Sequence, residues 1–151
     1  MMLGKFLLFN PVLLSAIIAW LLAQIIKVLG EYITLSRWNW VLLFQAGGMP
    51  SSHSAMVSAA ALSIGLYVGF DQPVFAISSI LAMIVIYDAT GIRRETGRQA
   101  VLINTMIEDL AKGKLAQVDR LKEVLGHTPG EAVLGTLLGL VIGLIVWFLV
   151  P

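Results

Sequence analysis

The stretch SAMVSAAALSIGLYVGFDQPVFAISSILAMIVIYDA, Ser54 to Ala89, decides the architecture. It holds two nearly uninterrupted apolar runs, about Ser54–Phe70 and Pro73–Ala89, separated only by Asp71 and Gln72. A helix needs roughly 20 apolar residues to cross a bilayer. Both runs are a little short of that, and the two-residue joint predicts a tight helical hairpin. Ser58, Ala59, Ala60 and Ala61 are small enough to let neighbouring helices approach closely.

Outward from the hairpin, two more apolar runs appear, about Pro11–Leu29 and Ala132–Val150. The whole chain agrees with this pattern. Of 151 residues, 58% are hydrophobic and only 13% charged, against about 25% charged in a soluble domain. The expectation is an all-α integral membrane bundle of about four transmembrane helices, with residues 1–151 forming a single membrane domain. The opening MMLGKFLLFN lacks a clean small-residue cleavage site, so the first run reads as a retained span rather than a signal peptide. A net charge of +1 argues against a nucleic-acid partner. The absence of cysteine excludes disulfides, thiolate metal sites and a cysteine nucleophile.

Two polar connections remain, Gly30–His53 and Gly91–Glu131. In the second, Leu102, Ile103, Met106, Ile107 and Leu110 share one face and Glu108 and Asp109 the other. That spacing predicts an amphipathic helix lying at the interface, followed by a shorter stripe at Val118, Leu121, Val124 and Leu125. Arg93, Arg94, Arg98, Lys112, Lys114, Arg120 and Lys122 lie in this connection, and the Asp71–Gln72 turn has no basic residue. By the bias of lysine and arginine, both connections face the cytoplasm of the cell membrane and both termini face out, against the minor conflict of Lys5. Lys112, Lys114, Arg120 and Lys122 serve orientation and anionic-lipid contact on this reading. Trp20, Trp38, Trp40 and Trp147 read as interface anchors.

This topology gathers the unusual residues at one membrane face. Lys27 nears the end of span one, GGMPSSHSA opens span two, YDATGIRRETGR closes span three and LGHTPGE opens span four. Ionisable groups at membrane depth cost a few kcal/mol, so they tend to mark sites. The only two histidines, His53 and His127, stand at equivalent helix starts. Helix N-termini attract phosphate. Ser51 and Ser52 add donors, and Lys27, Arg93, Arg94 and Arg98 add charge for phosphate oxygens. One imidazole can attack phosphorus while the other protonates the leaving oxygen, with Glu131 or Asp88 orienting a ring. Blander roles fit some of these residues. Thr128 to Glu131 reads as a capping box, Ser51 or Ser52 as a cap of span two, Lys27 as a snorkelling side chain, and Asp88 as an ion-pair partner of Arg93, Arg94 or Arg98.

PSSH (Pro50–His53) resembles the Pro-Ser-Gly-His motif of the type 2 phosphatidic acid phosphatase superfamily, which includes lipid phosphate phosphatases and vanadium haloperoxidases. HTPGE (His127–Glu131) is similar to its motif of a histidine followed four residues later by aspartate. GGMPSSHSA, YDATGIRRETGRQA and LGHTPGE together resemble the divergent branch of small membrane proteins in that superfamily, over Lys27 to about Gly139. The resemblance implies that His127 is a nucleophile forming a phosphohistidine, Glu131 its orienting group, His53 the general acid, and Ser51 and Ser52 part of the phosphate pocket. Leu121 and Thr34 stand where the superfamily carries arginines, and four spans stand where it has six. Arg93, Arg94 and Arg98 are candidates to replace those arginines.

The leading expectation is therefore a lipid phosphate or pyrophosphate phosphohydrolase that needs no cofactor and no metal, with a membrane lipid phosphate as substrate. A metal-dependent enzyme using His53, His127, Asp88, Glu95 and Glu131 is one alternative. The other is a protein that binds or transports anionic phospholipid without hydrolysis, for which assembly as a homo-oligomer would provide a path.

Overall fold

The computed structural model describes residues 10–43, 47–111 and 126–151. The opening residues with Lys5, the stripe at Val118, Leu121, Val124 and Leu125, and the basic residues Lys112, Lys114, Arg120 and Lys122 lie outside them. The described residues form five α-helices and one short 3-10 turn: α1 (Pro11–Leu35), the turn (Trp40–Leu43), α2 (Ser52–Val68), α3 (Pro73–Thr90), α4 (Ile92–Ala111) and α5 (Pro129–Leu149). No strand occurs among them, as expected where lipid leaves each backbone group to be satisfied inside its own segment. The protein is a membrane helical bundle. Pro11–Leu35, Pro73–Glu108 and Pro129–Leu149 are long and apolar enough to cross a membrane, and α2 is a shorter apolar helix of 17 residues.

Helix starts follow their caps rather than the first apolar residue. The Asn10 side chain accepts from Leu13 N, the Ser51 side chain from Ser54 N, and the Thr128 side chain from Glu131 N. Each cap satisfies an orphan N–H of the first turn. α2 therefore begins at Ser52, two residues ahead of its apolar run, and α5 at Pro129, three ahead of its own and where the Thr128 capping box puts it. α1 runs past Leu29 to Leu35 and stops where Ser36 turns left-handed, with φ 52°, because nothing between Gly30 and Leu35 breaks a helix. At the hairpin, Phe70 folds back so that its ring fills the space beside Gly65, and it meets Phe75 edge-on at 5.0 Å.

α2 is the centre of the bundle and packs against α1, α3 and α5. Its small residues carry that role: Ala55 and Ala59 are fully buried with Ala19 and Ala23 of α1 and with Ile142 and Val146 of α5. On α5, Gly135, Gly139 and Gly143 face α2. A Cβ on Gly135 or Gly139 would collide with the carbonyl oxygen of Ser51 or Ala55, and one on Gly143 would stand 3.3 Å from that of Ala59. In lipid, where apolar side chains gain nothing by leaving one apolar phase for another, such close backbone approach is what holds helices together. The four-residue spacing of these glycines is itself legible in the sequence.

Polar ties reinforce the packing. Ser15 Oγ donates to Val12 O at 2.8 Å and lies 2.7 Å from Ser63 Oγ, bonding α1 to α2 in a fully buried position. Tyr67 Oη donates to Val150 O at 2.6 Å, with Val146 O at 3.1 Å, covering carbonyls at the end of α5. Tyr67→Phe is expected to cost about 1 kcal/mol, measured as a lower midpoint in unfolding of the micelle-bound protein. An unchanged midpoint would show that these carbonyls find other donors.

Candidate functional site

Three helix ends converge where the two histidines lie: the start of α2, the end of α3 and the start of α5. Gly126, at φ 85°, takes a left-handed turn that suits glycine and delivers the chain to His127. The His127 N–H then donates to Ala89 O at 2.8 Å, which ties the start of α5 to the end of α3. The Ser51 N–H donates to Glu131 O at 2.9 Å, which ties the start of α2 to the same turn of α5. Before it, the chain reaches Ser51 through Gly47 and Gly48, both at positive φ, and a cis Met49–Pro50 bond. These ties bring the His53 and His127 rings to a centroid separation of 6.3 Å, tilted by 59°.

His127 is 3% exposed. Its Nδ1 lies 3.0 Å from Glu131 Oε2. An ionised carboxylate only accepts, so Nδ1 carries the proton in that pair and Nε2 keeps a free lone pair. Glu131 is at the same time the third residue of the capping box, its Oε2 accepting from Thr128 N at 3.3 Å. The capping box therefore also sets the Glu131 carboxylate beside the His127 ring.

Lys27 comes in from α1 and is 4% exposed. Its Nζ donates to Gln24 Oε1 at 2.8 Å and to Ser52 Oγ at 3.3 Å, and Glu131 attracts it electrostatically. Gln24 Nε2 in turn donates to Leu43 O at 2.6 Å, which fixes the amide so that its oxygen faces the ammonium. Gln24 escaped the sequence reading. A polar residue three positions before Lys27 on an otherwise apolar helix was the available signal. This arrangement sets Lys27 deep beside the start of α2, so it does not snorkel to the surface. Ser51 and Ser52 are also buried, and Ser54 Oγ donates to Ser51 Oγ at 3.0 Å.

The remaining expected residues lie on α3 and α4. Asp88 is half-buried on the last turn of α3, next to the carbonyl that holds His127. Arg98 lies on α4 in an exposed ion pair with Glu95, 2.7 Å apart, a contact of small energetic weight. Arg93 and Arg94 occupy the first turn of α4, and their side chains are outside the described residues. Lys27, Ser51, Ser52, His53, His127 and Glu131 thus form one cluster. No group of three or more histidine, aspartate or glutamate side chains arranged to hold a metal ion occurs among the described residues.

A cluster of two imidazoles, a buried ammonium, hydroxyls and two helix N-termini can hold an anion and transfer protons to or from it. A family model described as "Divergent PAP2 family" matches residues 8–142. An uncharacterized membrane protein of Bacillus subtilis (strain 168), YuiD, is 41% identical over 150 residues, covering 92% of this chain and 95% of its own. No solved structure matches the chain.

Proposed function

The chain belongs to the divergent PAP2 family, and from that premise we propose that it is a membrane-embedded lipid phosphate phosphohydrolase with His127 as nucleophile. The observation that carries this reading is the pair of rings 6.3 Å apart, one of them held at Nδ1 by Glu131. One phosphoryl group spans such a gap when reacting atoms close to about 3–3.5 Å.

In the first step His127 Nε2 forms a bond to phosphorus as the phosphorus–oxygen ester bond breaks. Protonated His53 gives its proton to the departing alkoxide, so a neutral alcohol leaves. In the second step water attacks the phosphohistidine, His53 takes the water's proton, and inorganic phosphate departs with His127 restored. Glu131 stabilises the positive charge that the His127 ring acquires. Lys27, Ser52 and the start of α2 face the phosphate oxygens, and the arginines of α4 add attraction for anionic substrates at longer range. The lysine and arginine bias puts this face in the cytoplasm.

Phosphate release from a panel of lipid phosphates, comparing the unaltered chain with His53→Ala and His127→Ala, tests the proposal. Binding of those lipids with no release by the unaltered chain would instead establish an anionic-lipid binding protein. Glu131→Gln keeps a capping-box residue but removes the charge that supports the imidazolium. It is expected to lower turnover on the order of 10²-fold while thermal stability stays near that of the unaltered chain. Equal turnover would remove Glu131 from the mechanism.

A further inference from the structure

Next to Lys27 lies a cavity of about 510 Å³, bounded by α1, Leu42 of the 3-10 turn, and Gly48 and Met49. Lys27, Glu31, Thr34, Leu35, Leu42 and Met49 line it. Lys27 belongs both to this cavity and to the cluster around the two histidines. Its stem passes Gly48 on the cavity side, while its ammonium bonds Ser52 at the start of α2. Glu31 stands one helical turn beyond Lys27, about 6 Å along the axis. Asn39 Nδ2 donates to its Oε1 at 3.0 Å, and an ionised carboxylate has further acceptor positions than that bond uses. Leu35, Leu42 and Met49 make the other wall apolar. Nearby, Tyr32, Trp38 and Trp40 stack in a row with centroids 4.3 and 5.3 Å apart, the kind of aromatic group that settles at the lipid–water boundary.

The cavity therefore combines a boundary position, an apolar wall and a carboxylate, and it reaches the phosphate cluster through a shared lysine. We propose, building on the phosphohydrolase reading, that it receives the alcohol side of a phosphate-monoester amphiphile and that Glu31 makes it selective for monophosphates. In a monophosphate the group across the ester oxygen is neutral and carries hydroxyl, ester or hydrocarbon, which a carboxylate and three apolar side chains accept. In a pyrophosphate that group is a second phosphoryl anion. The Glu31 charge repels it, and the Lys27 ammonium, held toward Ser52 at the start of α2, faces the transferred phosphoryl group rather than the second one.

The test uses the full chain in micelles and two substrates with identical tails, dioctanoyl phosphatidate and dioctanoylglycerol pyrophosphate. Glu31→Gln keeps an oxygen for Asn39 and removes the charge. The preference for monophosphate over pyrophosphate in kcat/KM is expected to fall about tenfold, mostly through KM, the scale of one charge–charge contact at a partly wet surface. Leu42→Trp, which fills the cavity, is expected to raise KM for both substrates at least tenfold. An unchanged preference in the first variant and unchanged KM values in the second overturn the proposal. Competition binding of the matching methylene phosphonate and bisphosphonate, followed by tryptophan fluorescence, separates the two readings. If the unaltered chain releases no phosphate, the phosphohydrolase reading fails. A tenfold shift in relative Kd with Glu31→Gln would then retain the cavity's selectivity, and no shift would remove it.

Discussion

His127→Ala is expected to abolish phosphate release, a loss on the order of 10⁴-fold or more, because no covalent intermediate can form without the imidazole. The change also empties a side-chain position that is almost wholly buried, so folding must be checked separately. The backbone bond from His127 N to Ala89 O and the capping box survive the substitution, and circular dichroism in micelles should stay helical. His53→Ala gives a different pattern if it is the acid. Lipid alkyl esters should lose about 10²–10⁴-fold, the usual worth of a positioned proton donor. An aryl phosphate, whose leaving group needs no proton, should lose far less. In the unaltered chain, rapid acid-free quenching during turnover should trap phosphate on His127. Full activity of His127→Ala on every lipid phosphate tested would end the assignment, and equal losses on alkyl and aryl esters would take the acid role from His53.

The second large effect concerns packing rather than chemistry. Gly139→Leu is expected to cost about 3 kcal/mol or more and to abolish activity with it. Even the first carbon of a side chain there would collide with the Ala55 carbonyl, which is backbone and cannot swing aside. The helices must separate, and overpacking of that kind costs 1–3 kcal/mol before any loss of neighbouring bonds. Because α5 carries Glu131 and directly follows His127, while α2 starts from its Ser51 cap and carries Ser52 and His53, separating the helices also opens the bond from Ser51 N to Glu131 O. Gly130→Ala is the control, since a Cβ at that position meets nothing within 4 Å. It should stay within about 0.5 kcal/mol of the unaltered protein. Melting curves in detergent read both. A Gly139→Leu protein with an unchanged midpoint would mean that α2 and α5 are not held by close backbone approach.

Much of the architecture was readable before any coordinate. The hairpin at Asp71–Gln72, the four apolar runs and the capping box at Thr128 follow from composition and local spacing, because helix formation in lipid is decided within each segment. The amphipathic character of Ile92–Ala111 follows from its period. Helix starts came from the caps at Ser51 and Thr128 and not from hydropathy, which marks only the apolar core of a helix. The site was legible as a set of residue types at one membrane face. Most of its internal pairings were not, those of Lys27 with Gln24 and Ser52 above all. The residues alone left Glu131 and Asp88 both able to hold an imidazole; the HTPGE resemblance pointed to Glu131 for His127, and the first turn of α5 makes that contact. Arg98 was a candidate for phosphate, and the structure pairs it with Glu95 at the surface.

The sequence by itself determined that this protein is a helical membrane bundle with two histidines at helix starts, because periodicity, hydropathy and caps are properties of neighbouring residues. Only the tertiary structure decided that those histidines face each other, that Lys27 is buried between Gln24 and Ser52, and that a carboxylate-lined cavity opens beside that lysine. Those facts depend on distances between residues remote in the chain. Such distances are set by how closely the glycines of α5 let two backbones approach.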